Sequence, residues 1–121
     1  MNQENNEFTT LGQESEENVL SKLPEIFQLL KEGKIKPTND VLDIISKFPT
    51  ESTPFILEIL GENEEQINLQ IWTLKEVVPR LPFFVKIALT DEIERMVNKP
   101  SPHEKEQKLD SIAQEALNSI L

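Results

Sequence analysis

A proline followed by a short apolar run occurs three times in this chain. Pro24-Glu25-Ile26-Phe27-Gln28-Leu29-Leu30 returns as Pro54-Phe55-Ile56-Leu57-Glu58-Ile59-Leu60, then more loosely as Pro82-Phe83-Phe84-Val85-Lys86-Ile87-Ala88. A second phrase also recurs, with Val41-Leu42-Asp43-Ile44-Ile45-Ser46-Lys47-Phe48-Pro49 set against Leu74-Lys75-Glu76-Val77-Val78-Pro79-Arg80-Leu81-Pro82. The offsets are 30 and 28 residues for the first phrase and 33 for the second, in the period range of stacked helix-pair repeats. Such a unit cannot bury its apolar face alone and must stack on its neighbours. The pattern predicts an all-α, HEAT-like helical repeat, an α-α superhelix of about three stacked helix pairs. It assigns no chemistry.

At 121 residues a single domain is expected, large enough to bury roughly two-thirds of its unfolded surface. Hydrophobic residues make up 37%, concentrated in periodic runs after Asn18, and three glycines leave little for hairpins or phosphate-cradling loops. Cysteine is absent, so disulfides and thiolate metal sites are excluded, which fits a reducing compartment. No apolar stretch approaches the roughly 20 residues needed to span a bilayer. Met1-Asn2-Gln3-Glu4-Asn5-Asn6-Glu7 is the opposite of a signal peptide, and a cytoplasmic protein is expected. The net charge is −10, with 22 Asp and Glu against 12 scattered Lys and Arg. Nucleic-acid binding needs clustered cations to displace phosphate counterions, so it is not expected. Acidity serves solubility, and it also speeds encounter with basic proteins.

Residues 1–14 read as a flexible acidic tail, too poor in apolar groups to offset their own ordering entropy, and residues 15–121 as the repeat domain. Helical periodicity begins with Val19, Leu20, Leu23, Phe27 and Leu30. Pro24 suits a first turn, which would make a turn around Glu16–Lys22 separate or kinked. Gly33 and Pro37 are stop signals. Thr38-Asn39-Asp40 is the next N-terminus, and Thr53-Pro54 another, with proline at the first helical position. After Gly61, the carboxylates Glu62, Glu64 and Glu65 sit at a helix start, where negative charge suits the dipole. Ile67, Ile71, Leu74 and Val78 then line one face, with Leu69 and Trp72 roughly opposite. A helix apolar on two sides is either sandwiched between repeats or shows one stripe to a partner. Burial is favoured here, making Trp72 the central packing residue.

Leu89, Ile93, Met96 and Val97 continue a stripe, with Asp91 and Arg95 spaced as an i,i+4 pair. After Asn98-Lys99-Pro100, Ser101-Pro102-His103-Glu104 is a capping box with proline at the first helical position. Pro100, Ser101 and Glu104 are therefore structural candidates, alongside Trp72. Leu109, Ile112, Ala113, Ala116, Leu117 and Ile120 follow in 3-4 spacing, and Glu104, Lys105, Lys108, Gln114 and Glu115 are expected on the outer face.

A search for chemistry finds little. His103 is the single histidine, so no two-histidine metal site exists, and capping accounts for Ser101, His103 and Glu104. Glu62, Glu64 and Glu65 lack the glycine turn and spaced oxygens of a calcium loop. Arg80 and Arg95 read as lone arginines that form no anion clamp. No glycine-rich phosphate motif is present. No catalytic residue, metal or cofactor is expected.

From about Glu16 to Leu121 the chain resembles a bacterial family catalogued as domain of unknown function 5071. The resemblance rests on Asp91-Glu92-Ile93-Glu94-Arg95-Met96, Asn98-Lys99-Pro100, Glu104-Lys105-Glu106 and Ala113-Gln114-Glu115-Ala116-Leu117, and on Trp72 placed nine residues before Leu81-Pro82. The chain departs from the family's pattern at three places. Leu69 replaces an aromatic residue, Gln70-Ile71 replaces a lysine–aromatic pair, and Lys34-Ile35-Lys36-Pro37 replaces a tryptophan-proline turn. The resemblance implies a small HEAT-like helical protein of bacterial origin and no particular activity.

Two functions from different classes fit these observations. One is a non-enzymatic protein-interaction module, for instance an acidic immunity-type protein that binds a basic partner, with Glu62, Glu64 and Glu65 as the contact. The other is a small ligand-binding or enzymatic domain using carboxylates in a groove between helical repeats. The first needs only a surface patch, and the second needs convergent polar groups in a pocket.

Overall fold

The computed structural model describes residues 16–61 and 67–120, and every regular element within them is helical. The acidic tail expected at 1–14 lies outside the described residues, as do Glu62, Glu64 and Glu65. In chain order the helices are α1 (Glu16–Lys31), α2 (Asn39–Lys47), α3 (Pro49–Leu60), α4 (Ile67–Trp72), α5 (Phe83–Asn98), α6 (Pro102–Glu106) and α7 (Leu109–Ile120). After Trp72, α4 runs on through a π turn at Thr73–Val77 and a 3₁₀ turn at Val78–Arg80.

Where the helices begin and end follows local chemistry. Gly33, at φ 72°, closes α1. Its N–H donates to the Leu30 carbonyl and the Lys34 N–H donates to the Leu29 carbonyl, at 3.1 and 2.9 Å. That is the bond pair of a Schellman motif, in which glycine takes the left-handed position without a Cβ penalty. Thr38 caps α2 by accepting from the Val41 N–H at 3.4 Å.

Two prolines sit differently from the sequence expectation. Pro24 lies inside an unbroken α1 and opens no new helix. It is exposed, as is Leu20, the residue four before it, whose carbonyl loses its helical donor and can turn to water. Likewise α3 starts at Pro49, not at Thr53-Pro54. Pro49 takes the first helical position, and the Thr53 hydroxyl bonds back to the Pro49 carbonyl at 2.9 Å instead of capping. Pro54 then faces solvent within the helix.

The π turn re-phases α4. Its buried residues are Leu69, Gln70, Thr73, Leu74, Val77 and Val78, two rows at a strict spacing of four that suits a turn wider than 3.6 residues. The stripe Ile67, Ile71, Leu74, Val78 was read at the α-helical period, so Ile67 and Ile71 are only half-buried. Trp72 is also half-buried, packed against the edge of the core and not at its centre. The C-terminal helix is divided as well. Lys108, at φ 61°, breaks it into α6 and α7.

The packing order is α1 on α3, α3 on α5 and α5 on α7, with α2 against the π turn and the π turn against α7. The C-terminal ends of α1, α3 and α5 lie side by side. Lys31 Nζ pairs with Glu58 at 2.6 Å, and Arg95 Nη2 donates to the Leu60 carbonyl at 3.1 Å. One continuous core fills the interior, with Phe27, Ile45, Ile56, Leu60, Leu89, Ile93, Met96 and Leu109 among its fully buried members. Phe27 stacks on Phe55 at 5.0 Å. Each such large apolar side chain contributes about 1.5–3 kcal/mol relative to exposure. Among the described residues no helix is long and apolar enough to cross a membrane.

Candidate functional site

Among the described residues, the most concentrated polar chemistry lies where α3, α4, α5 and α6 meet. Ser101 and Glu104 form the capping box of α6, with the Glu104 N–H donating to Ser101 Oγ at 3.2 Å and the Ser101 N–H donating to Glu104 Oε1 at 2.8 Å. Glu104 is fully buried, which corrects its expected place on the outer face. Arg95 makes that burial tolerable. Its Nη1 donates to Glu104 Oε1 at 3.0 Å and its Nη2 to Glu104 Oε2 at 2.8 Å, while Gln70 Nε2 donates to Oε2 at 3.1 Å. Arg95 is thus a carboxylate clamp and not a lone arginine. Its ion pair within α5 is with Glu92 at i,i+3, at 2.7 Å, where the sequence suggested Asp91.

The same side chains serve helix ends. Gln70 Nε2 also donates to the Leu60 and Gly61 carbonyls at the end of α3, and Arg95 Nη1 donates to the Lys99 carbonyl at the end of α5. Orphan carbonyls and negative dipole ends are thereby met by donors, one of them cationic. Burial alone would push the Glu104 carboxyl up. The hydrogen bonds and charge of Arg95, with the Ser101 N–H and the Gln70 amide, outweigh it and hold the carboxyl below the usual range. A carboxylate that accepts four hydrogen bonds and stays ionised has neither a proton to donate nor a free oxygen to receive one. The node is a brace. Within the described residues, Gln70 Oε1 and Ser52 Oγ are buried without a hydrogen-bond partner.

A groove of about 550 Å³ runs beside the end of α1, with Leu30, Ile35, Pro37 and Leu69 among its lining residues. Glu32 is the carboxylate among its described lining residues, and a hydrogen bond from Gln28 and the nearby Lys34 ammonium hold it below the usual range. Among the described residues no three His, Asp or Glu side chains group as a metal site.

The outer face of α5 is the other distinctive surface. Phe83, Phe84 and Ile87 are 65%, 64% and 48% exposed, and Ala88, Asp91 and Glu94 beyond them are exposed as well. The third proline-led run keeps Val85 buried and turns Phe83, Phe84 and Ile87 outward. At 100° per residue, Val85, Leu89, Ile93 and Met96 form the buried line of α5, and Phe83, Phe84 and Ile87 fall off it. That stripe was visible in the sequence, and phasing the helix on it would have exposed the phenylalanines. Of the residues singled out from the sequence, Ser101 and Glu104 meet in the node, while half-buried Pro100 sits just before the cap. Trp72 flanks the core, and Arg80 makes an exposed ion pair with Asp43 at 3.2 Å.

The sequence matches the family described as Domain of unknown function (DUF5071) over residues 2–117. No curated protein and no solved structure matches it.

Proposed function

The chain belongs to the family described as Domain of unknown function (DUF5071), and we propose that it is a non-enzymatic protein-interaction module. In this reading it is a HEAT-like stack of helix pairs working in the cytoplasm and docking a basic protein. An immunity-type protein that neutralises a basic partner is its most specific form. The observation that carries it is the solvent face of α5, where two phenylalanines and an isoleucine stand in water side by side. Contiguous exposed apolar side chains rimmed by polar residues are a mark of interaction sites. The net charge of −10 favours a basic partner and would speed its encounter. An enzymatic domain using groove carboxylates has less support, because Glu104 lies outside the groove with both oxygens engaged, and Glu32 is the carboxylate among the groove's described lining residues.

The test is affinity capture by the immobilised full chain from the source organism, at low and high salt, with Phe83→Ser/Phe84→Ser in parallel. The expected result is a basic protein retained by the parent at low salt, weakened at high salt and lost with the variant. A small-molecule turnover by the purified chain, or one partner retained equally by both forms, would count against the reading.

A further inference from the structure

We infer that the segment docking on α5 is an amphipathic helix with apolar anchors and a basic residue two to three turns along from them. This rests on the proposed interaction role and deepens it. On the helical wheel Phe83, Ile87 and Glu94 fall on nearly one line, with Phe84, Ala88 and Asp91 on the line beside it. All six are exposed. The face therefore changes along its length from an apolar first half, Phe83 to Ala88, to an acidic second half at Asp91 and Glu94. Phe83 and Glu94 are eleven residues apart, about 16 Å along the axis.

The chemistry of the face selects its occupant. A helix surface offers no unpaired backbone edge, so strand addition is unavailable, whereas the apolar stripe of a second helix can pack ridge into groove along it. Apolar residues of that helix would cover Phe83, Phe84 and Ile87, and a Lys or Arg seven to eleven positions away would meet Asp91 or Glu94. A second copy of this chain is disfavoured because each copy carries −10, and the Arg95 guanidinium beside Asp91 is already engaged by Glu92 and Glu104. An anionic membrane surface is disfavoured on the same ground, since peripheral binding there relies on Lys and Arg.

The experiment is selection of the full chain against a displayed library of helical peptides about five turns long, with face positions randomised, followed by titration of synthesised winners. Expected winners carry apolar residues at i,i+3/i+4 and Lys or Arg seven to eleven positions away. Asp91→Lys/Glu94→Lys should weaken them about tenfold, Phe83→Ser/Phe84→Ser should abolish binding, and exchanging peptide Lys for Glu should restore affinity for the charge-reversed chain. Winners that need the phenylalanines but carry no basic residue would overturn this inference and leave the interaction role standing. Winners indifferent to Phe83 and Phe84, or no winners, would overturn both. Sedimentation with phosphatidylserine vesicles that depends on Phe83 and Phe84 would overturn the choice of a helical protein partner in favour of a lipid surface.

Discussion

Arg95 grips Glu104 at two points, Nη1 to Oε1 at 3.0 Å and Nη2 to Oε2 at 2.8 Å, across the turn between α5 and α6. Because Nη2 also reaches the Leu60 carbonyl at 3.1 Å, one guanidinium ties the end of α3 to the start of α6. The pair is desolvated on the carboxylate side, with Glu104 fully buried and the Arg95 side chain 21% exposed. Attraction across such a pair is offset by the cost of removing both charges from water, so its net worth is small while breaking it is costly.

Removing one partner should therefore do more harm than removing both. Arg95→Leu leaves a buried, uncompensated carboxylate and is expected to destabilise by about 3–5 kcal/mol. Glu104→Gln keeps the shape and part of the hydrogen bonding and is expected to cost about 1–3 kcal/mol. Arg95→Leu/Glu104→Gln should cost clearly less than the sum of the two single losses. Urea unfolding of the four proteins in a double-mutant cycle measures this. Additive costs would show that the two side chains are not coupled.

Acid should act through the same carboxylate. The folded-state pKa of Glu104 lies below its usual value, so folding holds fewer protons there than the unfolded chain does. Its contribution is complete above about pH 4.3, the ordinary glutamate value, and is lost as pH falls through the lower folded value. Stability measured from pH 7 down to pH 2.5 should fall more steeply in the parent than in Glu104→Gln. Parallel curves would remove Glu104 from the acid response.

Local chemistry was legible in the sequence where a signal acts within one turn. Gly33 closing α1, Thr38 capping α2 and the Ser101/Glu104 box all depend on residues two to five apart. The prolines misled because a proline marks a helix start only when its lost hydrogen bond would otherwise matter. Pro24 and Pro54 are exposed, so the unpaired carbonyls can be hydrated and the helices continue. The π turn was invisible because it changes the period itself, from 3.6 residues towards four. The Arg95–Glu104 clamp is set by how α5 meets α6, and the wheel of α5 leaves Arg95 beside the acidic residues Glu92 and Asp91 with no hint of a third. The repeat hides the outward turn of Phe83 and Phe84, because it aligns three apolar runs without fixing the phase of any helix.

Ser52 gives a prediction of opposite sign to most buried substitutions. It is completely buried in α3 and its hydroxyl lacks a hydrogen-bond partner among the described residues. Ser52→Ala removes that desolvated hydroxyl and also favours the helix, so it should stabilise by about 1 kcal/mol. A loss of stability in thermal or urea unfolding would show that the hydroxyl is satisfied in solution.

Trp72 offers an optical readout of the α4 register. Half-buried at the core's edge, it should emit at a wavelength between free and fully buried tryptophan. Trp72→Ala should cost about 1.5–3 kcal/mol, less than the roughly 3–5 of a fully buried aromatic. Emission at the wavelength of a completely buried indole, with a cost above that range, would place Trp72 inside the core.

Neighbouring positions of α5 should respond in opposite ways. Phe83 and Phe84 project into solvent, so Phe83→Ser/Phe84→Ser leaves no cavity, and the unfolding free energy should stay within about 0.5 kcal/mol of the parent. Leu89, one turn further on, is fully buried, and Leu89→Ala should cost about 2–5 kcal/mol through lost transfer energy and the cavity left behind. The double serine variant should also bind less of an environment-sensitive apolar dye, because it removes the exposed rings while keeping the fold. Denaturant titrations of the three proteins, with dye fluorescence under native conditions, make the comparison. If the serine variant loses as much stability as Leu89→Ala, the rings belong to the core and α5 has no apolar face to offer a partner.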